Sequence, residues 1–314
     1  MSKPFQNVHQ QLFILNKRGL VIEDYSKVKQ YLISNNYYNI INGYSKYFFE
    51  TPNKYKDGTT FDEVTYAYLF DKEIKFALLK SIFEAEKHFT SIFAYTFSEK
   101  NSKNDDFYLN VKSYHTTKKN QHQLPYIINK MNKIISKHIK KKSVTPINHY
   151  MKSHGYVPFW VIINYLTFGE VTTLFRLAPL DIQNKVSKRF YSFISQYGPV
   201  KTRLTPAIFL SFVENIAEVR NVCAHDNRLW EFKCKESIKY YPSLHDIYNI
   251  KNNSPRSDIY NVYLVLRYFM TPFKYKILTK TLKKRLKNFD NKLESQSINS
   301  FLGYLGFPPE WHKQ

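Results

Sequence analysis

TFDEVTYAYLFDKEIKFALLKSIFEAEKHFTSIF, residues 60–93, carries a helical hydrophobic period uninterrupted by proline or glycine. Val64, Ala67, Ile74, Leu78, Ile82, Ala85, Phe89 and Ile92 recur in alternating steps of three and four, and Asp71 is the one polar residue on that stripe. Such spacing holds one face of an α-helix against a core. Thr60 and Glu63 supply a Thr-x-x-Glu capping box, in which hydroxyl and carboxylate satisfy free amide hydrogens at the helix start. Within an apolar stripe, Asp71 is expected to meet a buried base or cap a neighbour, since an unpaired carboxylate is costly to desolvate.

Toward the N-terminus, Phe5, Val8, Leu12 and Leu15 predict a helix stopped by Gly19, and Val28, Tyr31 and Leu32 predict a second over 23–35. An aromatic segment leads to Phe49, and 51–59 gathers Pro, Asn, Asp and Gly as a loop. Beyond the long helix, 100–125 is polar and reads as an exposed excursion or a mobile insertion. Helical spacing returns over 126–142. Pro158-Phe159-Trp160 opens a short helix that Gly169 is expected to end, with further helices over 170–177 and 180–190. Thr205-Pro206 is a favoured helix start, followed by an apolar arc of Phe209, Phe212, Val213, Ile216, Val219 and Cys223. Residues 231–258 lack periodicity, and 259–270 and 273–289 close the chain as helices. Eight Gly and thirteen Pro in 314 residues leave few tight turns. The expected fold is therefore all-α, a multi-helical bundle forming one unit, divided into N-terminal helices (1–57), a core (58–230) and basic C-terminal helices (231–314).

Lys and Arg number 47 against 25 Asp and Glu, a formal charge of +22. That field suits a polyanion, because each neutralised phosphate releases counterions, and RNA is the first candidate partner. Solubility combined with a Lys-rich composition is the plainer explanation. Two basic clusters stand out: Lys140, Lys141 and Lys142 at a helix end, and Lys276, Lys280, Lys283, Lys284 and Lys287 along one face of a helix. The first equally suits a solvated helix C-terminus, whose dipole favours cations. No stretch approaches a membrane span and the first residues lack an apolar signal core, so a cytoplasmic protein without membrane attachment is expected. Cys223 and Cys234 then read as reduced thiols. A zinc site on Cys223, His225 and Cys234 lacks paired ligand spacing, so no metal or other cofactor is expected.

Polar groups collect in Glu218-Val-Arg-Asn-Val-Cys-Ala-His-Asp-Asn-Arg-Leu-Trp230. Arg220 falls within the apolar arc, where it requires a carboxylate or an anionic ligand. Cleavage of RNA by its own 2′-hydroxyl asks a protein only to move protons and to stabilise negative charge. Histidine and arginine suit those tasks, and His225 and Arg220 fit them. Five positions apart on a straight helix, however, they point about 140° from each other. Convergence comes more easily if the helix ends at His225 or if a second copy supplies the partner. A buried structural pair is the alternative to catalysis.

Here the sequence resembles the HEPN superfamily, marked by Arg, a polar residue, three further residues and His: Arg220-Asn221-Val-Cys-Ala-His225. The extended RNVCAHDNRLW is similar to the signature of the AbiD/AbiF abortive-infection family of Abi-like proteins. Residues Lys3–Phe5, Lys17–Leu20, Tyr37–Tyr44, Gly58–Phe61, Tyr68–Asp71, Phe83–Glu86, Pro158–Trp160, Phe168–Gly169 and Leu305–Trp311 agree with that likeness. Departures are Asp226, where the family often has a second histidine, and Thr90, where a basic residue often follows. The resemblance implies an all-α fold with a HEPN-type core and a homodimer whose Arg-x4-His motifs share a metal-independent endoribonuclease site. It also implies an anti-phage toxin–antitoxin role, restrained by a structured non-coding RNA. Asn221 would orient the site, with Glu218 holding Arg220 or Arg228, or merely facing solvent. A non-catalytic RNA-binding or sensing protein, with Arg220 and His225 as a structural pair, is the second reading. A DNA-binding regulator is disfavoured for want of a helix-turn-helix with a polar recognition helix.

Overall fold

The computed structural model describes residues 4–117, 122–140, 144–200 and 202–314. Its elements are helices joined by turns and longer irregular connections, with, among the described residues, one two-stranded hairpin, Phe49–Thr51 against Lys54–Tyr55. The fold is all-α, as expected. The hairpin occupies part of the stretch read as a plain loop, and Asn53 turns it in the left-handed region at φ 65°.

The chain packs into two compact units assembled from separated segments: 1–79, 222–232 and 277–314 in the first, 80–221 and 233–276 in the second. The longest helix, Phe61–Lys100, contributes to both. In the first unit Thr60 and Glu63 make the expected capping box, with Glu63 Oε2 accepting from the Thr60 amide at 3.1 Å. The other oxygen of Glu63 accepts from the amides of Glu294 and Ser295, each at 2.8 Å, which explains how a carboxylate 2% exposed is tolerated there. Helices Val8–Lys17 and Tyr25–Ser34 precede it, and Ile298–Leu305 follows near the C-terminus. Trp230, 2% exposed, centres the aromatic core, with Tyr44, Tyr47, Phe301 and Tyr304 around it at 5.0, 4.8, 4.9 and 6.4 Å between ring centroids.

The second unit is built on Phe89, Phe93 and Phe97, four residues apart on the long helix and therefore on one face. Their rings stack in sequence at 6.1 and 5.6 Å. Phe159, Phe175 and Phe209 meet them from three other helices, and Phe190 and Phe269 pack in turn on Phe209. The expected stripe is buried from Val64 through Phe89, but it then follows Phe93 rather than the partly exposed Ile92.

One expectation is refined and one corrected. The polar stretch after residue 100 is largely exposed, as expected, but it is anchored: Phe107, Tyr108 and Tyr114 are buried, and the Tyr108 hydroxyl donates to the Val157 carbonyl at 2.7 Å. Three aromatic side chains outweigh the polar composition around them. Gly169 does not stop a helix but lies inside Phe168–Leu177, which Thr167 and Glu170 open with a second capping box. Among the described residues no helix is long and apolar enough to cross a membrane.

Candidate active site

Thr205 Oγ1 accepts from the Ile208 amide at 3.3 Å, and Pro206 begins the helix Pro206–Ala224 that carries the Arg-x4-His motif. Its apolar arc is buried as the spacing requires, with Phe209, Phe212, Val213, Ile216 and Val219 almost wholly inaccessible. Arg220, one turn beyond Ile216, is about a quarter exposed. Its Nε stands 3.8 Å from Glu86 Oε2, and its Nη1 donates to Asn221 Oδ1 at 3.5 Å, a long contact. At 3.8 Å the guanidinium and carboxylate attract each other without a hydrogen bond. Arg220 Nε and Glu86 Oε2 are indeed both buried without a hydrogen-bond partner among the described residues. Burial pushes the Glu86 carboxyl above its ordinary range, and the Arg220 charge opposes that rise.

Both residues line a cleft of about 1050 Å³ that lies wholly within the second unit. Trp160, Tyr95 and Phe83 also line it, each with a substantial part of its ring in contact with solvent. A guanidinium with a free donor in the wall of an open, aromatic cleft is positioned for an anionic or polar ligand.

In the first unit the motif helix stops one residue before His225. The Asn227 amide donates to the Val222 carbonyl at 3.0 Å and the Asp226 amide to that of Cys223 at 3.3 Å, with Asp226 at φ 54°. That pair of bonds is the Schellman arrangement, which closes a helix through one left-handed residue. His225 is exposed in this turn and, among the described residues, forms no hydrogen bond or ion pair. Asp226 is fixed by Lys75, whose Nζ lies 2.5 Å from its Oδ1 and 3.1 Å from Asp71 Oδ2. Asp71, fully buried, also accepts from the Tyr44 hydroxyl at 2.8 Å and the Leu229 amide at 3.2 Å. The acid in the apolar stripe is therefore a structural clasp, paired with a buried base as expected. Burial pushes its carboxyl up against the opposing pull of Lys75 and Tyr44.

The remaining candidates have distinct surroundings. Glu218 holds neither Arg220 nor Arg228; its carboxylate accepts from the Lys235 amide at 2.9 Å. The acid that meets Arg220 is Glu86, which borders the apolar stripe beside Ala85 and so had only its edge position to mark it. Arg228 donates to the Gly43 carbonyl at 2.5 Å and lies over the Tyr47 ring at 5.4 Å. Lys276, Lys280, Lys284 and Lys287 are exposed on the helix Pro272–Asp290. Lys283 instead folds toward the C-terminus, donating to the Gln314 carbonyl and lying 5.5 Å above the Trp311 ring. Lys140 is exposed just after the helix Gln123–Ile139, while Lys141 and Lys142 lie outside the described residues.

Cys223 and Cys234 are free, buried thiols, each pushed up to about 12 chiefly by burial. Among the described residues no three of His, Cys, Asp and Glu gather around a common point fit for a metal ion. In comparison with known families, the chain matches the family model described as Abi-like protein over residues 30–231, more than half of its 314 residues. No curated protein and no solved structure matches it.

Proposed function

Since the chain belongs to the Abi-like protein family, which points to abortive-infection defence, we propose that it is a metal-independent endoribonuclease toxin of HEPN type. In this reading Arg220 and His225 act on RNA in the cytoplasm. The ribose 2′-hydroxyl attacks the adjacent phosphorus, the 5′-oxygen leaves, and the products are a 2′,3′-cyclic phosphate and a 5′-hydroxyl. His225 moves the proton between these oxygens, and Arg220 stabilises the extra charge on the phosphoryl group. Asn221 steadies the guanidinium. A homodimer brings the motifs of two copies around one phosphodiester, and a structured non-coding RNA restrains the toxin by occupying the same basic protein.

The observation that carries this reading is Arg220 itself, with a hydrogen-bond donor unspent in the wall of an open cleft. An exposed imidazole without partners among the described residues follows it on the same motif. Expression of the parent, Arg220→Ala and His225→Ala, with RNA profiling and growth curves, tests it. Each variant is expected to lose cleavage by roughly 10²-fold or more and to relieve growth arrest. Cleavage should persist in chelator and leave cyclic phosphate ends. Equal cleavage by parent and variants would remove the catalytic assignment.

The Glu86 pairing also supports a second reading, a non-catalytic RNA-binding or sensing protein in which Arg220 is structural. In that case the variants melt earlier while RNA ends and growth stay as in the parent.

A further inference from the structure

The cleft that holds Arg220 extends well past it. Phe83, Lys87, Thr90, Ala94 and Ser98 line its floor at steps of three and four along the long helix, so one helix face forms its base. From Glu86 to Ser98 that face rises about 18 Å, longer than the reach of one side chain. The pocket is therefore a groove with Arg220 toward one end.

Two properties of its lining are unusual for a folded surface. Trp160 and Phe83 are each 49% exposed and Tyr95 is 61% exposed. Among the described residues Trp160 and Phe83 form no ring contact, whereas aromatic pairing saturates the core beneath them. Tyr95 is held in place from outside by the Arg189 guanidinium, 4.6 Å from its ring, and Arg189 is itself fixed by Glu99 at 2.9 Å. Secondly, three buried polar atoms without a hydrogen-bond partner among the described residues belong to this groove: Glu86 Oε2, Ser98 Oγ and Arg220 Nε. Exposed rings alternating with unsatisfied donors and acceptors call for a ligand that is flat, apolar on its faces and polar at its edges.

We infer that this groove is a track for single-stranded RNA, seating unpaired bases against Trp160, Tyr95 and Phe83 and leading the strand to Arg220. The proposal rests on the ribonuclease reading and adds the class of substrate: unpaired rather than duplex RNA. Stacking on aromatic faces is how proteins hold single strands, because every base has a face while a duplex hides it. The orientation follows from charge. Glu86 and Asp105 line the groove and repel phosphates, but carboxylates accept hydrogen bonds from base amino and imino groups; the third lining carboxylate, Glu99, is taken up by Arg189. Bases thus face inward and phosphates outward, except at Arg220 and the exposed Lys87, the two cations of the lining, which take phosphates. The +22 charge of the chain favours this polyanion over a peptide or a second copy in the same groove.

Trp160 supplies the test, since Trp230 and Trp311 are only 2% and 6% exposed. A short, unstructured 2′-O-methyl RNA, which lacks the attacking hydroxyl, is titrated into the parent protein while tryptophan fluorescence is followed. Saturable quenching is expected with the single strand and not with its duplex. Trp160→Leu should abolish the quench, and Trp160→Leu and Tyr95→Ala should each weaken binding, followed by anisotropy, by roughly tenfold or more. Tyr95→Ala, at a mostly exposed ring, guards against misfolding at Trp160, and both variants are checked for the parent's circular dichroism and melting. Parent-like RNA affinity in both folded variants overturns the proposal. So does a shift in native mass with unchanged RNA affinity, which would assign the groove to a second copy of the chain. Because this probe cannot be cleaved, quenching without nuclease activity would sink only the ribonuclease reading, and cleavage without quenching would sink only the track.

Discussion

His245 shows how a single enclosed side chain ties this fold to pH. Its ring is fully buried, Nδ1 accepts from the Tyr241 amide at 2.8 Å, and burial with the nearby Arg256 charge pushes its pKa down to about 4. The folded value lies below the ordinary one, so the neutral ring contributes stability that is whole above about pH 6.5 and is lost as pH falls through about 4. Denaturant unfolding of the parent and His245→Gln should reveal it. The parent's advantage is expected to shrink by roughly 3 kcal/mol between about pH 7 and pH 4. A constant difference across that range would mean the ring is protonated alike in both states. At this scale the sequence is informative about need but not about partner. Arg220 on an apolar arc demanded a negative group, yet only the packed helices reveal that Glu86, 134 positions earlier by the chain numbering, provides it. Asp71 was easier to interpret, because Lys75 follows it by one helical turn.

Among the elements, the end of the motif helix sets how His225 is presented. Asp226 occupies a left-handed conformation that strains a residue with a Cβ, and its pairing with Lys75 offsets that strain. Asp226→Ala removes the pairing and keeps the strain, so a loss of about 2 kcal/mol is expected; Asp226→Gly removes both and should cost less. Thermal or denaturant melts of the two variants check the order, and equal melts would show that φ at this position is not a determinant. The long helix was legible because its period runs for many turns and its capping box is local. Gly169 was misleading because a glycine within a helix resembles a stop. The Thr167–Glu170 box beside it was the better signal, since it specifies a start by two reciprocal hydrogen bonds. The anchoring of the stretch after residue 100 was hidden for a different reason: Phe107, Tyr108 and Tyr114 find their burial against segments distant in sequence, which no local period records.

For the molecule as a whole, the excess of 22 positive charges means that the RNA association proposed above should depend on salt. Lys276, Lys280, Lys284 and Lys287 project to solvent from one helix, so replacing all four by Gln should flatten the slope of log affinity against log salt by up to about three. Binding isotherms for a single-stranded RNA at graded salt measure that slope, and an unchanged slope would move the phosphate contacts elsewhere. Composition made the charge plain from the outset. It gave no sign that Trp230 would sit among rings from both ends of the chain, because non-local packing leaves no period to read. The two sulfurs extend this picture. Cys223 belongs to one packed unit and Cys234 to the other, and each is enclosed with its ionisation suppressed. Each unit therefore carries its own tamper seal, because an alkylating reagent or an oxidant reaches either sulfur only after the surrounding side chains have come apart.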